Sequence, residues 1–150
     1  MAERIAIASD HAAVALKATL VAWLREQGHD VTDLGPHDHG SVDYPDYGYK
    51  LAGAVADGSV GFGIALCGSG IGISIAVNRN PAARCALVNE PYSAKLARRH
   101  NDANVIALGA RLIGEDMAKS CVHAFLETPF EGGRHAMRVA KLSHFTKESA

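Results

Sequence analysis

The 150-residue sequence has no excess of either charge: 15 lysines and arginines stand against 16 acids, for a net charge of -1. Bulk electrostatics therefore gives it nothing to offer a nucleic acid or an acidic membrane surface. It has no cysteine framework. Cys67, Cys85 and Cys121 are odd in number and lack the paired spacing of a disulfide scaffold or a zinc knuckle. The reading is a reduced, cytoplasmic protein. There is no internal repeat, low-complexity tract or linker, and the length suits one domain over residues 1–150 with a real core. The start, Met1-Ala2-Glu3-Arg4 and a brief apolar run up to Asp10, is too short to read as a signal peptide. The uncharged stretch from Val60 to Val77 is barely long enough for a membrane span, is full of glycine and lacks basic flanks on one side. No span is expected.

That same stretch organises the chain. Phe62, Ile64 and Leu66 form a short apolar run, as in a strand covered on both faces. Gly68, Gly70 and Gly72 follow at once and let the backbone turn sharply and approach a ligand. The helix that follows aims its unpaired N–H groups and positive dipole end over the turn. Cys67 sits at the lip of this anion-friendly turn, and Ser69 adds a hydroxyl. A thiol at a helix amino end is more readily a thiolate. The glycines are spaced G-x-G-x-G rather than the G-x-G-x-x-G of a dinucleotide turn, although Glu90 falls about where a ribose-binding acid is expected.

The remaining pattern alternates strand and helix. Ile5–Ala8 reads as a first strand closed by Ser9-Asp10-His11. A helix follows with Leu16, Leu20, Trp23 and Leu24 at helical spacing and Gly28 as its stop. Val31–Leu34 is a second strand, residues 35–45 a polar loop, and Tyr47–Asp57 a second helix. After the Cys67 strand and its helix, which ends at Asn78-Arg79-Asn80-Pro81, Arg84–Val88 is a fourth strand. Asn89-Glu90-Pro91 opens a helix that ends near His100. Val105–Leu108 is a fifth strand, Gly114-Glu115-Asp116 opens another helix, and a last helix spans Arg134–Lys147. Five alternations predict an α/β fold: a Rossmann-like three-layer α/β/α sandwich with a five-stranded parallel sheet and an extra C-terminal helix. Such sheets bind ligands outside the carboxyl ends of their strands. Asp10, His11, Cys67 to Gly72, Asn89, Glu90 and Gly109 to Arg111 should gather there.

Several side chains carry both a structural and a chemical reading. Asp10 can cap the helix after it or, with His11, act as an acid–base pair. The loop His37-Asp38-His39-Gly40-Ser41-Val42-Asp43 holds histidines and acids, but not at structural-zinc spacing, and reads as a solvated loop. Arg134 and Arg138 face the same way on one helix, where like charges repel unless an anion such as a phosphate lies between them. His100 ends a helix that runs back to the amino edge of the sheet. A five-residue strand is about 16 Å long, so His100 should lie about that far from Cys67 in its own subunit. It is expected to serve a neighbouring subunit's site.

With these residues in hand, the sequence resembles the type B ribose-5-phosphate isomerases and their sugar-phosphate isomerase relatives. The matching segments, in order, are Ala8-Ser9-Asp10-His11-Ala12, Asp43-Tyr44-Pro45-Asp46-Tyr47, Cys67-Gly68-Ser69-Gly70-Ile71-Gly72, Tyr92-Ser93-Ala94-Lys95, His100-Asn101-Asp102-Ala103-Asn104 and Gly132-Gly133-Arg134-His135. The resemblance implies an aldose–ketose isomerase using no metal or cofactor. Cys67 would be the base that moves a proton between C1 and C2 of an open-chain sugar phosphate. Some relatives use a glutamate a few residues on, but Ile71 to Ser74 match the cysteine type. Ser69, which stands where many relatives have threonine, would stabilise the enediolate with the backbone N–H groups of Gly70, Ile71 and Gly72, and Gly68 would be a further substrate-binding residue. His100 matches the ring-opening residue, with Asp10 assisting. His11, Arg134 and Arg138 match phosphate ligands, Asn101 a substrate contact, and Arg111 is a further anion contact. The resemblance also implies a homodimer or homotetramer with shared active sites.

The leading reading is ribose 5-phosphate isomerisation. Within the same chemistry the substrate could instead be allose 6-phosphate, galactose 6-phosphate or erythrose 4-phosphate, since pocket length decides. From other classes, a nucleotide-binding module would use the glycine turn without catalysis. A thiol redox protein lacks a second cysteine near Cys67 to resolve a disulfide.

Overall fold

In the computed structural model, which describes residues 2–146 and 148, five parallel strands form one sheet in the order β2-β1-β3-β5-β4. They are β1 (Arg4–Ser9), β2 (Asp30–Asp33), β3 (Phe62–Cys67), β4 (Cys85–Leu87) and β5 (Val105–Gly109). The helices are α1 (Val14–Glu26), α2 (Tyr44–Ala56), α3 (Ile71–Val77), α4 (Pro91–Asn101), α5 (Glu115–Glu127) and α6 (Arg134–Leu142). Alternating strand residues feed two cores. Ile5, Ile7, Ile64, Leu66, Ile106 and Leu108 pack under α1, α4 and α5. Ala6, Ala8, Ala65, Cys67 and Ala107 pack under α2 and α3. This is the three-layer sandwich expected from the pattern, with α6 lying outside it against α4.

The small residues of the second face let α2 and α3 come close to the sheet and to each other. A Cβ on Gly48 of α2 would stand 2.8 Å from the Ala76 side chain. Chain reversal also fixes where a ligand can sit. From β1 the chain steps to β2 on one side, then crosses to β3 on the other. The carboxyl ends of β1 and β3 therefore flank the topological switch point. The two strands are in register from Ile5 opposite Phe62 to Ser9 opposite Leu66, and Asp10 N–H donates to Leu66 O at 3.0 Å.

Several boundaries differ from the sequence pattern. Helix α2 starts at Tyr44, before the expected Tyr47, because Pro45 occupies its first turn, where a missing N–H costs nothing. Strand β2 is shifted by one residue and β4 shrinks to Cys85–Leu87 at the sheet edge. Helix α6 ends at Leu142 with Ser143 as its cap. The expected end at Lys147 lies outside the described residues.

Helix α1 also buries a residue that its apolar spacing does not flag. Lys17 is 2% exposed, and its Nζ donates to both oxygens of Asp33 at 2.7 and 2.8 Å. Asp33 also accepts from Gly35 N–H, and Gly35 O accepts from Ser9 N–H. The pair thus ties α1 to the backbone that leads into Asp10. Removing one partner strands the other charge with little water. Lys17→Met is expected to cost about 3 kcal/mol, read as a lower urea midpoint at unchanged slope.

Candidate active site

Strand β3 ends at Cys67, and the backbone then makes the glycine turn into α3. Gly70 caps that helix at φ 77, a left-handed conformation, and a Cβ there would stand 2.9 Å from the Leu108 carbonyl carbon. Only glycine fits both demands. The turn is pinned to the end of β5 by Ala110 N–H to Cys67 O and Arg111 N–H to Gly68 O, each at 2.9 Å. Sheet geometry thus brings Cys67 and Arg111 to one edge, although 44 positions separate them in sequence.

A cleft of about 340 Å³ opens over this turn. Asp10, Cys67 and Arg111 line it with Gly68, Ser69 and Gly72. Cys67 is 4% exposed, and Gly70 N–H donates to its Sγ at 3.1 Å. The Ser69 hydroxyl accepts from Ile71 N–H at 3.2 Å and remains free to donate. Two of the turn's amides are therefore already engaged. Gly72, second in the helix, retains an N–H that the helix does not use. Asp10 is buried and caps the short 3₁₀ turn at His11–Ala13, its Oδ1 accepting from Ala12 N–H at 3.0 Å. Its structural role is thus observed beside its place in the cleft. His11 stands next to the cleft rather than in its lining. His11 Nδ1 lies 3.1 Å from Val42 N and 3.2 Å from Val42 O, so the Val42 backbone holds the ring in place.

Tyr44 and Leu112 also line the cleft. The sequence reading gave neither a role. The Tyr44 ring lies over Gly72, where an added Cβ would come within 2.7 Å of it. Its signal was the Asp43-Tyr44-Pro45 segment, which read as a loop end until Pro45 proved to be in the first turn of α2. Asn89 and Glu90 do not join the lining. Glu90 caps α4, its carboxylate accepting from Tyr92 and Ser93 N–H at 2.6 and 2.7 Å, and the Ser93 hydroxyl, followed by these backbone bonds, holds its pKa below the usual carboxylate range.

The other candidate residues form a second group, none of which lines the Cys67 cleft. His100 and Asn101 close α4, and Arg134 and Arg138 lie exposed on α6. Asn101 lines a different cleft of about 380 Å³ with Asn78, Arg84 and Cys85. That cleft is roomier but lacks an acid–base pair. The His100 ring stacks on His135 at 4.5 Å between centroids. Arg98 anchors this end of α4. It donates to Thr128 O, Asp102 Oδ1 and Ala103 O at 3.2, 2.9 and 2.6 Å, and its guanidinium lies 5.1 Å from the Phe62 ring centre.

All three cysteines are free. Burial pushes the Cys121 thiol up to about 11 and the Cys85 thiol up to about 12. Both stay protonated at neutral pH, and Cys121 is fully buried. Iodoacetamide at about pH 8 is expected to modify Cys67 first, because only its sulfur lines the cleft over the turn. Peptide mass spectrometry reads the site, and added substrate should protect it. Among the described residues no helix is long and apolar enough to cross a membrane.

A family model described as Ribose/Galactose Isomerase matches residues 5–142. The chain is 45% identical over 141 residues to ribose-5-phosphate isomerase B of Escherichia coli, covering 94% of this chain and 95% of the relative. It is 44% identical over 142 residues to D-erythrulose-4-phosphate isomerase of Pectobacterium atrosepticum, covering 94% and 93%. The solved ribose 5-phosphate isomerase of Thermotoga maritima superposes with a TM-score of 0.92 at 48% identity, covering 94% and 97%.

Proposed function

This chain belongs to the ribose/galactose isomerase family, with the type B ribose-5-phosphate isomerases, and is a sugar-phosphate isomerase; we propose that it interconverts ribose 5-phosphate and ribulose 5-phosphate. The observation that carries the reading is the cleft at the switch point, where a sulfur, a carboxylate and a guanidinium meet over one glycine turn. Moving a proton between neighbouring carbons needs a base, donors for the oxyanion and an anchor remote from the reacting atoms. Cys67, as the thiolate, takes the C2 proton of the open-chain aldose. The C2–H electron pair forms the C1–C2 double bond, and the carbonyl pair moves onto O1. Ser69 O–H and Gly72 N–H donate to the enediolate, while Gly70 N–H remains on the sulfur. The O2 hydroxyl proton passes to O1, and as the C2 carbonyl forms the proton held by Cys67 returns to C1, leaving the ketose and the thiolate. Each step is a proton transfer, with atoms and charge conserved.

The phosphate is held by His11 and Arg111 of one subunit and by Arg134 and Arg138 of its neighbour. His100 and Asn101 come with those arginines, because α4 and α6 pack together away from the Cys67 cleft. His100, with Asp10 assisting, opens the sugar ring. The working unit is thus at least a homodimer, with each site built from two chains.

The relative named for D-erythrulose 4-phosphate is nearly as similar and favours a second reading, a four-carbon substrate. Coupled assays on ribose 5-phosphate, allose 6-phosphate and erythrulose 4-phosphate decide between them. The highest kcat/KM is expected on the pentose. A preference for the four-carbon sugar would keep the mechanism and replace the substrate. No turnover on any of them would overturn the assignment of substrate class.

A further inference from the structure

The segment Gly132-Gly133-Arg134-His135 enters the mechanism above only through its arginine, leaving His135 unused. This residue is 8% exposed, and its ring lies on that of His100 with planes 16° from parallel. Gly132 and Gly133, at φ 69 and 55, aim the first turn of α6 at α4. Glu131 N–H donates to Arg99 O at 3.1 Å, and His135 N–H donates to Gly132 O at 3.1 Å. The backbone on both sides of the stack is therefore fixed. Yet His135 Nε2 is buried with no hydrogen-bond partner, and Glu131 Oε1 is 3.8 Å away. An unpaired buried nitrogen is costly, so polar pairing does not explain this ring.

The ligand atoms of His100, Glu131 and His135 lie within 4.8 Å of one another. Near-parallel rings, however, send their lone pairs side by side rather than to one point, so the trio is not preset to chelate a cation. What the ring does offer is its flat face. Burial, followed by the charges of Arg134 and His100, lowers the His135 pKa and keeps the ring neutral. A neutral imidazole face accepts the His100 ring whether His100 is neutral or charged.

We propose that His135 is a positioning residue for sugar-ring opening: its buried ring backs the His100 imidazole and holds it in one orientation. The inference rests on the reading of His100 as the ring-opening group. The test uses the difference between the two sugars. Ribose 5-phosphate closes into a five-membered ring through O4. Ribulose 5-phosphate cannot, because its C5 oxygen carries the phosphate. Exchange of the ketose C1 hydrogen with solvent therefore needs the base but no ring opening.

His135→Leu is expected to lower kcat on ribose 5-phosphate about tenfold or more and to leave C1 exchange of ribulose 5-phosphate within about twofold. His135→Phe restores a flat ring and should recover most of the lost rate. If the leucine variant does not fold, His135→Gln takes its place. Equal losses in both assays would mark a structural role, and unchanged turnover would show that His100 is held without this ring. A phenylalanine variant as slow as leucine would assign the effect to the nitrogen rather than the face. Any of the three overturns the proposal. His100→Asn is measured alongside: if it does not separate the two assays, the reading of His100 fails. If it separates them and His135→Leu does not, only the present inference fails.

Discussion

Cys67→Ala is expected to lower kcat for ribose 5-phosphate by about 10³-fold, within the range set by removing a general base. The change is small in every other respect. The residue packs among Ala8, Ala65 and Ala107, and alanine is tolerated there by volume. Gly70 N–H loses its sulfur acceptor, which costs about 1 kcal/mol. The proposed phosphate contacts are elsewhere, so KM should change much less than kcat, and exchange of the ketose C1 hydrogen should fall in parallel. Parallel loss distinguishes a missing base from a defect in ring opening, which spares exchange. If turnover survives, the proton goes to another group, and Asp10 is the carboxylate in the same cleft.

A mixture of two inactive proteins is expected to regain activity. In the proposed mechanism Cys67→Ala chains lack the base, and His100→Asn chains lack the ring-opening group. If each site takes its base from one chain and its histidine from the next, a mixed dimer has one intact site and one doubly defective site. Random re-pairing after mild denaturation makes about half the dimers mixed, so activity should return to about a quarter of wild type. The physical ground is the separation of the two groups. Cys67 ends β3 at the carboxyl edge, whereas His100 is in the last turn of α4, beside the start of β5. No return of activity on mixing, with hetero-association shown by mass spectrometry, would require both residues to act within one chain.

The sheet and its glycine turn were legible in the sequence because they depend on short-range rules. Apolar runs, a sharp glycine turn after Cys67 and Gly28 as a helix stop are local, and each was in place. The cleft was only partly legible. Cys67, Asp10, Ser69 and Arg111 could be brought together from strand ends alone. Tyr44 was missed because a proline read as loop was the first turn of a helix. Glu90 was expected at the site edge, but its carboxylate is spent on two amides. Lys17 was invisible because apolar spacing cannot announce a charge that is buried by pairing with Asp33. The grouping of His100 with His135 depends on how α6 docks on α4, which is a tertiary contact with no local signature.

Arg98 gives these arrangements a wider meaning. Its guanidinium joins the end of α5, the approach to β5 and the aromatic pair Phe62 and Phe125 directly beneath the turn that carries His100. The planar fork is not replaceable by lysine, which has one compact donor head. A change at Arg98 therefore loosens the packed interior and the turn that carries His100 together. Arg98 thus makes the rigidity of the hydrophobic core and the placing of His100 a single property of the fold.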